Sequence, residues 1–200
     1  PRAARGQALF AGPRRAMKPL RGPPGPRLPA AQRLRPADVA DVMRVQAACY
    51  GAGFLEDAAL YARRLSHPAH RSLGLRAASG HLLAYLAAYG SVQGQITPLH
   101  GEFVQHPAPD ILYLHDLAVR PDCAGQGLAQ ALLRAAAVQA SECGLKHVAL
   151  VSVQDTSAFW RRQGFAAAEP PPGLDSYGAG AVYMVRMSWL LGPPCWGSAK

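Results

Sequence analysis

Cysteine is scarce in this chain and poorly spaced for chemistry. Cys49, Cys123, Cys143 and Cys195 are scattered, with no C-x-x-C pair. Neither a zinc site nor a disulfide framework is expected, and a reducing cytoplasm is the natural setting. Long apolar runs are missing too, which excludes a transmembrane span and the apolar core of a signal peptide. Charged residues make up only 16% of the chain while half is hydrophobic, so most of it is expected to be globular. Two hundred residues suit one domain with a sizeable core.

Acid is absent from residues 1–37, which hold nine of the 21 Lys and Arg. The remaining basic residues balance the 12 acids, so the N-terminal stretch supplies the whole net charge of +9. Residues 1–30 are rich in Pro, Gly, Ala and Arg, and read as a disordered extension that buries too little to offset its ordering entropy. Serine is missing there and no amphipathic period is evident, which argues against a transit peptide. Met17 is a candidate start. A basic arm binds polyanions, but aromatic interleaving is lacking apart from Phe10. Nucleic-acid association is therefore kept only as an alternative.

What is present is a strand, a glycine turn and a helix start between Tyr113 and Leu133. Ile111 to Val119 is apolar and alternating, and Pro121 ends it because proline donates nothing to a ladder. Period two puts Tyr113, His115, Leu117 and Val119 on one face, and Leu114, Asp116 and Ala118 on the other. Gly125 and Gly127 let backbone N–H groups approach a ligand. Leu128 to Cys143 reads as a helix with Leu128, Leu132, Leu133, Ala136 and Ala140 buried and Gly144 as its cap. A helix N-terminus after a glycine turn favours anions, such as the phosphates of a nucleotide-like cofactor. The dinucleotide fingerprint is incomplete, because Gln130 stands where its third glycine belongs. No Gly-Lys-Ser/Thr follows, so a P-loop is excluded. An ordinary βα turn of another α/β domain remains open at this point.

The segment resembles motif A of the GNAT acyl-CoA N-acyltransferase family, whose pattern is Gln/Arg-x-x-Gly-x-Gly/Ala after a strand ending in Val-x-Pro. Val119, Arg120 and Pro121 precede it, and Ala124, Gly125, Gln126, Gly127, Leu128 and Ala129 fill it. Ala124 departs from the family's Gln or Arg, so a side-chain contact to pyrophosphate is lost and the backbone cradle remains. A second stretch, Phe159, Trp160, Arg161, Arg162, Gln163, Gly164 and Phe165, resembles motif B, an aromatic followed by Tyr-x-x-x-Gly-Phe. Trp160 stands at the Tyr that in the family often protonates the departing CoA thiolate. An indole N–H has no usable acid pKa. Asp155 or Ser157 substitutes for the family's Asn at the start of this helix.

The resemblance covers residues 31–190 and leaves 191–200 as a tail. It implies an α/β GNAT fold, a twisted mixed sheet with a splayed central parallel pair flanked by helices. The implied activity is direct transfer of acetyl from acetyl-CoA to a primary amine, with no metal. Leu117, Ala118 and Val119 would polarise the acyl carbonyl through backbone N–H groups. Asp116 is the first candidate base and Glu56 the second. Tyr177 and Tyr183 are alternative proton donors, and Tyr50, Phe54 and Glu56 candidate acceptor contacts. A catalytically inactive acyl-CoA-binding module is the rival reading, kept alive by Ala124 and Trp160.

The rest of the chain reads in order. A short strand at 32–35 leads to a helix from Pro36 to about Tyr50 with Val39, Val42, Met43, Val45 and Gln46 as its stripe. A second helix runs from about Glu56 to Leu65. A hairpin turns at Ser79 and Gly80. The polar stretch from Gly90 to Asp110 is either a cover for the acceptor site or a variable insertion. Lys146 to Val153 is a central strand parallel to the one before it, and Ala181 to Trp189 is the last strand.

Overall fold

The computed structural model describes residues 28–187. The basic extension and the C-terminal tail lie almost wholly outside the described residues, as do the last two residues of the expected final strand.

Seven strands form one sheet: β1 (Gln32–Arg33), β2 (Leu73–Arg76), β3 (Leu82–Ser91), β4 (Ile111–Val119), β5 (His147–Ser152), β6 (Ala166–Ala167) and β7 (Val182–Met187). Their order across the sheet is β1-β2-β3-β4-β5-β7-β6. Only β4 and β5 pair in parallel; the other five pairings are antiparallel. This is the mixed sheet flanked by helices that the sequence implied. Strand β6 was not anticipated, because two alanines carry no strand signal of their own.

Four helices cover the two faces: α1 (Val39–Cys49), α2 (Ala58–Ser66), α3 (Leu128–Glu142) and α4 (Ser157–Arg162). Helix α3 buries the five residues expected of it, Leu128, Leu132, Leu133, Ala136 and Ala140. They pack with Leu86, Leu112, Leu114, Val148, Leu150 and Met184, and with Trp160 of α4. Helices α1 and α2 cover the other face, where Val42, Val45, Tyr61 and Leu65 meet Tyr85, Tyr89, Tyr113, Ala149 and Tyr183. Asp57 caps α2 by accepting from the N–H groups of Ala59 (2.7 Å) and Leu60 (3.0 Å).

The alternation expected along β4 fails at one residue. In register with β3, Ala87 faces Asp116 and Ala88 faces Leu114, so His115 is an extra residue with no partner. This β-bulge turns the strand's faces over. Tyr113 and Ala118 pack on the α1/α2 side, while Leu114, Leu117 and Val119 pack toward α3. His115 and Asp116 consequently both reach polar partners on the α1/α2 side instead of opposite faces.

His70 gives this region a pH signature. It is 6% exposed. Its Nε2 accepts from Arg33 Nε at 3.2 Å, which requires the neutral ring. Burial, then the Arg33 and Arg71 charges, push its pKa down from 6.5 to about 4. The folded state therefore resists a proton that the unfolded chain takes up, and stability falls as pH drops from 6.5 to about 4. Urea midpoints measured across that window should fall for the native chain, and the fall should flatten in His70→Asn, whose side chain does not titrate.

Candidate active site

Strands β4 and β5 pair only from Ile111/His147 to Leu114/Leu150, and then separate. A cleft of about 260 Å³ opens at the separation. Leu117, Val119, Ala129, Phe159 and Trp160 line its α3/α4 side, and Tyr50, His115 and Asp116 its other end. A smaller cavity of about 40 Å³ lies beyond, lined by Tyr50, Phe54, Glu56, Leu99, His115, Asp116 and Tyr177. Tyr50, His115, Asp116, Val151 and Val153 belong to both, so the two spaces meet at the bulge.

The free edge of β4 is partly claimed. Arg120 N–H is donated to the Leu83 carbonyl, toward β3. Strand alternation then aims the backbone of Leu117 and Val119 the other way, into the gap. The Val119 carbonyl accepts from Cys49 Sγ at 3.2 Å, and Tyr50 Oη, whose hydrogen goes to Asp116, lies 3.3 Å from the Leu117 carbonyl. The Leu117 and Val119 N–H groups are left facing the cleft. Ala118 turns the opposite way and packs under α1 and α2.

The glycine turn lies at the outer end of the cleft. Gly125 and Gly127 have φ of 75° and 79°, in the left-handed region. Among the described residues, the Gly125, Gln126 and Gly127 N–H groups have no protein acceptor, whereas Ala124 N–H is spent on the Pro121 carbonyl at 3.2 Å. Gly127 starts α3, its carbonyl accepting from Ala131 N–H at 3.0 Å. Leu128 and Ala129 form the first turn of α3, where N–H groups lack intrahelical partners. Such an arrangement of exposed donors fits a phosphate. Asp155 is exposed, and Ser157 Oγ shares a hydrogen bond of 3.0 Å with Ser152. Neither lines the cleft; their neighbours Gln154 and Thr156 do.

Asp116 is held by three phenols. Tyr50 donates to Oδ1 at 2.5 Å, and Tyr61 (2.9 Å) and Tyr85 donate to Oδ2. Burial first, and the Asp116 charge second, push all three tyrosines well above their ordinary pKa, so they remain protonated donors. Nothing in the local sequence points to Tyr61 or Tyr85, which come from α2 and β3.

Glu56 is 6% exposed and lies in a second network. Arg64 grips it with two N–H groups at 2.6 and 2.8 Å, and His100 N–H donates at 2.9 Å. His115 Nε2 lies 3.1 and 3.3 Å from its two oxygens. Burial alone would raise the Glu56 pKa, but the hydrogen bonds from His115 and Arg64 and the guanidinium charge outweigh it and hold the carboxyl far below its usual range. Arg64 lies 5.4 Å from the Tyr61 ring centre and 5.1 Å from that of Phe103. It also donates to the Gly101 carbonyl. The stretch at 92–110 is thus tied to the site, and Leu99 reaches the smaller cavity. Arg64 was legible in principle: Leu60, Tyr61, Arg64 and Leu65 share one helical stripe.

Of the two candidate proton donors, Tyr177 lines the smaller cavity and Tyr183 lines neither space. Tyr183 Oη accepts from Gly94 N–H at 3.2 Å. No group of three or more His, Cys, Asp or Glu among the described residues is placed to hold a metal. No helix among them is long and apolar enough to cross a membrane.

The domain is a mixed α/β fold whose parallel pair opens beside a glycine turn and a helix start. The chain belongs to the GNAT acetyltransferase family, whose model matches residues 39–165. No match is found among curated proteins. Among solved structures, the loading GNATL domain of CurA from Lyngbya majuscula is similar with a TM-score of 0.63 at 13% identity, over 78% of this chain and 96% of that one. The ribosomal-protein-S18-alanine N-acetyltransferase from Escherichia coli gives 0.58 at 16%, over 80% and 93%. The GNAT family N-acetyltransferase YhbS from Escherichia coli, in complex with CoA, gives 0.58 at 20%, over 81% and 83%. At these identities the likeness is one of fold. Family membership supports acyl transfer with a CoA-type co-substrate.

Proposed function

We propose that the protein transfers an acetyl group from acetyl-CoA to a primary amine by direct attack. The observation that carries this reading is the opening between β4 and β5, with N–H donors that have no acceptor among the described residues toward one end and the Asp116 carboxyl toward the other. Gly125 to Ala129 would hold the pyrophosphate through backbone N–H groups. Leu117 and Val119 N–H would stabilise the charge that develops on the thioester oxygen. Glu56 and Arg64 cancel each other's charge, so Asp116 leaves the inner cavity anionic and draws an ammonium toward it. Its two oxygens already accept from three phenols. Glu56 is a weak base, because the His115 and Arg64 hydrogen bonds hold its carboxyl far below its usual range.

The direct test is thermal. Acetyl-CoA at about 100 times its Kd should stabilise the protein by roughly 2.7 kcal/mol, or about 5–10 °C for a chain of this size. No shift would remove the central claim.

One observation favours a second reading, acyl-CoA binding without turnover. Trp160 is buried between Phe159 and Phe165, with ring centroids 5.0 and 5.5 Å away, and offers no acid to the leaving thiolate. A thermal shift with acetyl-CoA, together with no thiol release over a broad panel of primary amines, would select this reading.

A further inference from the structure

Resting on the acetyltransferase reading, we infer that Glu56, His115 and Tyr177 form a proton relay in which His115 takes up the proton lost by the acceptor amine. Glu56 is gripped by Arg64 and Asp116 already accepts from three phenols, which leaves the imidazole at the junction of the two cavities.

The hydrogen bonds specify how that imidazole is held. An ionised carboxylate only accepts, so His115 Nε2, facing both Glu56 oxygens, must carry a hydrogen. In the neutral ring Nδ1 then holds the lone pair. Nδ1 lies 3.2 Å from Tyr177 Oη. That phenol has one hydrogen and three oxygen or nitrogen neighbours: the Thr97 carbonyl at 2.6 Å, Nδ1, and Tyr113 Oη at 3.4 Å. The shortest contact takes the hydrogen, so at rest Nδ1 faces an oxygen and accepts nothing. Once protonated, every donor is satisfied: Nε2–H to Glu56, Nδ1–H to Tyr177, and Tyr177 O–H to Thr97. The cluster is built to receive one proton at Nδ1.

The bulge makes this possible, since His115 is the unpaired residue and points with Asp116 toward α1 and α2. The titratable and charged groups around the ring come from every neighbouring element. They are Glu56 with Arg64 behind it, Tyr177, Tyr113 on the same strand, and Asp116 with Tyr50 at the junction. Phe103 closes the remaining side, its ring centre 5.8 Å away.

The step balances as follows. Tyr177 turns its hydrogen from the Thr97 carbonyl onto Nδ1, passes it there and receives one from the ammonium in its place, so the amine gains a lone pair and His115 a positive charge. The nitrogen forms a bond to the thioester carbon, the carbon–sulfur bond breaks, and its electron pair leaves with sulfur. The nitrogen's surplus proton goes to that thiolate. His115 returns its proton through Tyr177 to water, which leaves an amide, a thiol and one proton in solution. Tyr177 is the catalytic residue that touches the amine. Glu56 is a positioning residue that fixes the ring's tautomer.

Two measurements test this on the full chain. Imidazole nitrogen NMR of the neutral form should show His115 protonated at Nε2; a neutral ring protonated at Nδ1 overturns the relay whatever the substrate. Tyr177→Phe and His115→Gln should each lower kcat by roughly 10²–10⁴-fold on a panel of primary amines, read as thiol release. Both should keep the thermal shift with acetyl-CoA, and His115→Gln should lose the acid limb of the kcat/KM profile. Rates within about twofold of the parent with the limb intact would overturn the proposal while leaving the acetyltransferase reading in place. A parent chain with no acetyl-CoA shift would instead remove that reading and leave the tautomer result standing.

Discussion

Gly127→Asp should abolish stabilisation by acetyl-CoA. Gly127 sits at φ 79° where α3 begins, and among the described residues its N–H has no protein acceptor. An aspartate there places a negative charge where phosphate charge must sit. The expected reading is loss of essentially the whole shift of about 5–10 °C. Among the described residues a Cβ at this position meets only Leu28 Cδ1 at 3.7 Å, so a steric clash with them does not explain the loss. Left-handed backbone strain could lower stability by itself, and two controls isolate the charge. Gly127→Asn carries similar backbone strain without the charge and should keep a reduced shift. Gly144→Asp has the same problem at φ 71° at the far end of α3, with no atom near its Cβ, and should keep the full shift. Differential scanning fluorimetry with and without acetyl-CoA checks all three. Full binding by Gly127→Asp would show that the cradle has been placed wrongly.

The largest expected loss of folding stability is for Arg64→Met. The Arg64 and Glu56 side chains are 1% and 3% exposed, so water cannot replace the lost partner. Removing one partner of such a pair costs about 3–5 kcal/mol, because the other charge stays buried. That is a large share of the roughly 5–15 kcal/mol that holds a domain folded. Methionine keeps most of the volume between Tyr61 and Phe103, so the loss is electrostatic more than a packing defect. Adding Glu56→Gln should recover much of it, since the stranded charge is removed. Urea denaturation of the single and double variants measures the coupling.

The same pair sets a pH dependence. In the native chain the Glu56 carboxyl is held far below its usual range. Its contribution is therefore complete above the unfolded value of about 4.3 and is lost as pH falls below it. In Arg64→Met the guanidinium's hydrogen bonds and charge are gone and burial weighs more, so the Glu56 carboxyl moves up toward its usual range. The native chain loses more stability than the variant in acid, and the variant's deficit should shrink as pH falls below about 4.3.

Much of the fold was legible because it is written in local periods. The 3.6-residue spacing from Leu128 to Ala140 named the buried face of α3. Gly144 marked its end, and the apolar run after Lys146 read as a central parallel strand, which β5 is. Six of the seven strands follow from such signals. The glycine turn was legible for the same reason: Gly125 to Ala129 are contiguous, and glycine conformation and helix-start donors are properties of the backbone at that point.

The chemical centre was only half legible. His115 and Asp116 were singled out, yet on opposite faces of their strand, because period two holds only while two strands match residue for residue. The bulge is a mismatch between β3 and β4 and cannot be read from either strand alone. Tyr61 and Tyr85 reach Asp116 from α2 and β3, and Arg64 reaches Glu56 from the next helix. Such meetings depend on how helices settle on the sheet. What the sequence determined by itself is the order of elements and the glycine turn before α3, since each rests on the conformation of a few consecutive residues. The tertiary structure alone decided which side His115 and Asp116 face and which donors hold the two carboxylates, because register and packing are set between segments distant in the chain.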